Sequence, residues 1–163
     1  MLARPFATVN KVNIMNTHTL FLKKQCSRSE QEILRVFRKI KAATIPQLEV
    51  APLLKRLGIP IDKTEEFIHL IEGILHNLPS MELLGPHSPC VSLDELELLA
   101  TLNYFSRHPN KATDNRALPG GSALESFPLF KACGQMLHNA GIGFRARPKP
   151  QVEINEQAIS TYQ

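Results

Sequence analysis

The sequence predicts an all-α protein: a single-domain bundle of about five helices with flexible basic ends. Two kinds of local signal and one global one carry this. Ser-x-x-Glu pairs, Ser27 with Glu30 (or Ser29 with Glu32) and Ser92 with Glu95, stand just before apolar runs of helical period. Gly58 and Gly141 stand just past such runs, where a left-handed residue closes a helix. Across 163 residues of 43% hydrophobic content there is enough apolar material for one core. The boundaries follow: an arm over 1–26, a helical domain over 27–145 and a tail over 146–163.

The elements are read in chain order. "THTLFLKKQ" allows one short strand before the first helix. In "SRSEQEILRVFRKIKAA" the residues Ile33, Leu34, Val36, Phe37 and Ile40 share a face, while Arg28, Arg35, Arg38 and Lys39 gather on the other. That basic stripe is predicted to be solvated and to offer an electrostatic contact. Pro46 suits the first turn of the second helix, with Pro52 marking a later start or a kink. Asp62 and Glu65 repeat the capping pattern for a third helix whose buried face is Phe67, Ile68, Ile71, Ile74, Leu75 and Leu78. The fourth helix, opened by Ser92, is expected to bury Leu93, Leu96, Leu99, Leu102 and Phe105. The fifth is expected to bury Leu129, Phe130, Cys133, Met136, Leu137 and Ala140, with Ile142 closing its cap.

The second and third helices, joined through "LGIPIDK", have helix-turn-helix spacing. Charge argues against DNA reading. Residues 62–78 hold Asp62, Glu65, Glu66 and Glu72 against Lys63 alone, so a recognition helix there would meet phosphate repulsion. An αα-hairpin within a bundle is the better reading. The wider charge distribution agrees. Residues 1–29 carry five bases and no acid, 30–99 hold eleven acids against seven bases, and 100–163 hold seven bases against four acids. The high isoelectric point therefore belongs to the ends and not to the centre. The acid-free start fits a flexible arm; a transit peptide, or initiation at Met15, is the alternative.

No apolar run is long enough to cross a bilayer, so no membrane role is expected. Three dispersed cysteines, Cys26, Cys90 and Cys133, make no disulfide framework and fit a reducing, cytoplasmic compartment. Phosphate-loop, dinucleotide and serine-elbow motifs are absent, and "LPGGSALES" reads as a turn. Glu66, His69, Glu72 and His76 share the exposed side of the third helix at offsets that can chelate a metal, but Glu-x-x-His occurs there once and lacks the partner set of a di-metal bundle. His87 and Cys90 form a lone His-x-x-Cys, two ligands short of a structural zinc site. No cofactor, metal or enzymatic activity is expected.

"PHSPCVSLDELELLATL" and, after a variable loop, "LFKACGQMLHNAGIGFRAR" resemble the second half of a poorly characterised group of small all-helical bacterial proteins, over about residues 86–147. The resemblance implies a bacterial, cytoplasmic, helical protein and adds no site. The expected function is a non-enzymatic interaction or regulatory module that docks a partner protein. Its candidate contacts are Arg28, Arg35, Arg38, Lys39, Glu66, His69, Glu72 and His76. Nucleic-acid binding by the basic first helix and termini is one alternative, a metal-dependent enzyme on the Glu/His face another, and a homodimer is compatible with each.

Overall fold

The computed structural model describes residues 20–21, 25–108 and 126–145, and in them the predicted helices form around one apolar core. Most of the basic arm, the 109–125 loop and the tail from 146 onward fall outside the described residues. Helix α1 (Arg28–Ala42) starts at a complete capping box: the Ser27 hydroxyl accepts from the Glu30 amide at 3.3 Å, and the Ser27 amide donates to the Glu30 carboxylate at 2.7 Å. Of the two possible boxes, the chain uses the earlier one. Helix α2 (Pro46–Leu57) begins on its proline and runs through Pro52, which lies on the exposed side. Gly58 closes it with φ 85°, and the Ile59 amide donates back to the Leu54 carbonyl at 3.0 Å.

The predicted Asp62/Glu65 cap does not form. A 3₁₀ turn over Ile61–Lys63 leads directly into α3 (Thr64–Asn77). The Pro60 carbonyl accepts both the Lys63 amide at 2.9 Å and the Thr64 hydroxyl at 3.3 Å. Lys63, at the helix boundary, has φ −103° and ψ −4°, so the backbone is already turning and lacks the extended conformation that presents a capping side chain.

Helix α4 (Leu93–Arg107) again has a full capping box, Ser92 with Glu95. Its buried side is Leu98, Leu99, Leu102 and Phe105, with Leu93 and Leu96 only half buried. Leu99, Leu102 and Phe105 are buried as expected, and the unforeseen members of the face are Glu95 and Leu98. Helix α5 (Phe127–Asn139) buries Phe127, Phe130, Cys133 and Leu137, and packs Leu129 and Met136 against the core. Gly141, with φ 71°, ends it as predicted, and the Ile142 amide donates to the Leu137 carbonyl at 3.1 Å.

Helix α3 is central: it packs on α1, α2 and α5, while α4 lies along α5. Gly134 allows the α4–α5 crossing, since a Cβ there would fall 2.7 Å from the Phe105 Cβ and 2.8 Å from its carbonyl carbon. The short strand expected in "THTLFLKKQ" is present as β1 (Leu20–Phe21), antiparallel to β2 (Cys90–Val91), with Leu20 opposite Val91.

Candidate functional site

The side chains that carry charge in this fold divide into a buried network and an exposed face. Arg38 belongs to the first, which corrects its placement on the solvated basic stripe. It is 1% exposed and forms a two-pronged ion pair with Glu95, Nε to Oε1 at 2.7 Å and Nη2 to Oε2 at 2.8 Å. Its remaining donors reach the Ser88 carbonyl at 2.9 Å and the Cys90 carbonyl at 2.6 Å. Glu95 also accepts the Leu84 amide at 3.0 Å and the Ser92 amide at 2.8 Å. Burying two charges is costly unless both are paired and hydrogen-bonded, and here both are. The pair joins α1 to the start of α4 and holds the 82–92 segment between them. It is architecture, not an open site.

The rest of the stripe is partly neutralised. Arg35 bonds Glu32 at 2.8 Å, and Arg56 of α2 approaches the same carboxylate at 3.4 Å. Arg28 is exposed and Lys39 half buried. A continuous cationic surface on α1 is therefore reduced to its ends.

The outer face of α3 is where the sequence placed it. Glu66, His69 and His76 are exposed and Glu72 half buried. Glu66 meets Lys63 at 3.2 Å, while His69 lies between Glu65 at 3.6 Å and Glu72 at 3.3 Å. The four residues proposed as a metal set are thus distributed along a solvated ridge. Among the described residues no group of three or more His, Cys, Asp or Glu side chains is placed to hold a metal ion. His87 is exposed and Cys90 half buried, whereas Cys26 and Cys133 are buried in the core.

Two depressions adjoin this ridge, and neither was legible in the sequence. At its N-terminal end a groove of about 600 Å³ lies between the 58–63 turn and α5, with Ile59, Pro60, Pro128 and Met136 among its walls and Glu66 and Lys131 beside them. At its C-terminal end a hollow of about 290 Å³ is lined by Ile40, Leu75, Leu78 and Met81 together with Lys41, Glu72 and His76. Each needs residues from separated elements, so no single helical pattern announces it. Elsewhere Ile45, Leu48 and Ile61 are large apolar side chains left exposed.

Among the described residues two groups titrate away from their ordinary values. Burial pushes the Cys133 thiol far up, which keeps it neutral and unreactive. The Glu97 carboxyl on α4 is raised by loss of hydration first and by the neighbouring Asp94 charge second.

Comparison with protein families, curated proteins and solved structures finds no match. No site residue is transferred from a relative.

Proposed function

We propose that this protein is a non-enzymatic interaction module of the bacterial cytoplasm that docks a basic, amphipathic helical segment of a partner protein along α3. One observation carries the reading: the acid-bearing outer face of α3 runs between two apolar-walled depressions. Glu66 stands at the first, Glu72 and His76 at the second. Positions 66 and 76 are about 15 Å apart along a helix, the length of roughly three turns of a docked segment.

Apolar side chains of the partner would enter the two depressions, and its lysines or arginines would lie over Glu65, Glu66 and Glu72. Such helix-in-groove docking takes most of its affinity from the buried anchors. The rim charges set orientation, encounter rate and the exclusion of acidic competitors. Three dispersed cysteines, Cys26, Cys90 and Cys133, fit a reducing compartment. Nucleic-acid binding has less to draw on, because Arg38 is internal and Arg35 and Arg56 share Glu32.

The test uses two synthetic helical peptides with the same apolar face, one carrying lysine and the other glutamate at its flanking positions. Fluorescence anisotropy should show binding of the basic peptide alone. The combined change Glu66→Lys and Glu72→Lys should weaken it by about tenfold or more, since two attractive contacts become repulsive. Equal binding of both peptides, or binding of neither, would overturn the reading.

A further inference from the structure

We propose that the outer face of α2 is a self-association surface, on which two copies of this chain meet antiparallel about a two-fold axis. Helix α2 turns Val50, Leu53, Leu54 and Leu57 into the core. At 100° per residue the point opposite that buried arc is Leu48, flanked by Pro52 and Lys55. Leu48 is 75% exposed, and Ile45, one turn earlier, is 55% exposed. Ala51 and Pro52 are exposed beside them and small enough to let a second helix approach closely.

Charge selects the occupant. Glu49 lies in the first turn of α2, and Lys55 and Arg56 lie in the last. Glu49 and Arg56 project on the same flank of Leu48, within roughly 20° of each other, but about 10 Å apart along the axis. They are too far apart to pair within one helix, and Arg56 meets Glu32 of α1 only at 3.4 Å, with 62% of its side chain exposed and able to reach a second copy. An antiparallel two-fold keeps each flank and reverses direction, so Glu49 of one copy meets Arg56 of the other, and the contact occurs twice. A parallel two-fold, along the helix axes, would put the two Glu49 side chains on opposite flanks and leave neither facing an Arg56. Acid at the start and base at the end also suit the helix dipole. The dipole does not require them to share a flank.

Pro52 adds a further feature. It has no N–H to give, so the Leu48 carbonyl lacks its usual donor four residues on, and an acceptor stands in the middle of the apolar stripe. A helix of 12 residues offers less area than a standard dimer interface, so a dissociation constant on the order of 10–100 μM is expected.

This inference is independent of the α3 docking face, which lies on another helix and has its own test. Sedimentation velocity of the full chain, from about 5 μM to about 500 μM, should show a monomer–dimer equilibrium. Leu48→Glu should abolish it, and so should Glu49→Arg or Arg56→Glu alone. The two reversals together should restore it. All three positions are exposed, and circular dichroism verifies that each variant remains helical. A wild-type chain monomeric at about 500 μM would overturn the proposal. So would a dimer that survives Leu48→Glu, or a double reversal that dissociates like the single ones.

Discussion

Arg38 and Glu95 show how one pair of side chains can determine the relation between two elements. Each is fully buried, and each has polar partners beyond the ion pair: Ser88 and Cys90 carbonyls for Arg38, Leu84 and Ser92 amides for Glu95. Truncating either leaves the other charge in the core without its counter-ion. Arg38→Ala is expected to cost about 3–5 kcal/mol, and Glu95→Ala at least as much because it also removes the α4 cap. The double variant should lose less than the sum of the two, since the stranded charge is gone. Urea titration of the four proteins measures this directly, and a loss below about 1 kcal/mol for Arg38→Ala would show that the pair adds little. The sequence placed Arg38 on a solvated stripe for a definite reason. Its own helix gives it basic neighbours, while its partner lies 57 residues away. No local pattern reaches that far.

At the level of elements, the parts that were legible are those whose physics is local. The Ser27–Glu30 and Ser92–Glu95 boxes and the Gly58 and Gly141 stops each involve residues within a few positions of one another, and all four form. The start of α3 was misread because an upstream proline carbonyl, not a side chain, takes up the first donors. On α4 the inward placing of Glu95 was not legible, because a buried glutamate looks polar in any periodic pattern. Both capping glutamates reach beyond their own helices: Glu30 accepts the Arg145 amide at 3.1 Å, and Glu95 accepts that of Leu84. Helix crossing is a tertiary property, and Gly134 shows it most clearly. A methyl group there would meet backbone as well as side-chain atoms of Phe105 and Ser106, which cannot move aside without shifting α4. Gly134→Ala should therefore destabilise by about 1–3 kcal/mol despite its better helix propensity. Gly85→Ala, where nothing lies within 4 Å, serves as the near-neutral control. Thermal melts of the two variants decide it: equal midpoints would mean that the α4–α5 contact is looser than the distances require.

The described residues share one contiguous core. Residues from every helix, from Cys26 and Ile33 to Cys133 and Leu137, belong to the same buried cluster. The candidate face on α3 was legible because helical periodicity separates it from Phe67, Ile68, Ile71 and Ile74. The depressions at its two ends were not, because they arise only when α5 and the end of α1 are brought alongside. A single core implies a single cooperative unfolding unit, and the three thiols report on it. Cys90 is half buried on β2 and should be modified by a thiol reagent in the native state. Cys26 and Cys133, in the core, should react only through opening, with the same free energy as global unfolding by denaturant. The raised thiol of Cys133 fixes the sign of a pH effect. Below the ordinary thiol value of 9.0 both folded and unfolded states are protonated there and stability is unaffected. As pH rises above that value the unfolded chain ionises first, so stability is progressively lost. Labelling followed by mass spectrometry over a denaturant series separates the sites. Coincident curves for Cys26 and Cys133 mean one unit, whereas early release of Cys26 would divide the α1 end from the α4–α5 pair and limit the Arg38–Glu95 link to a local brace.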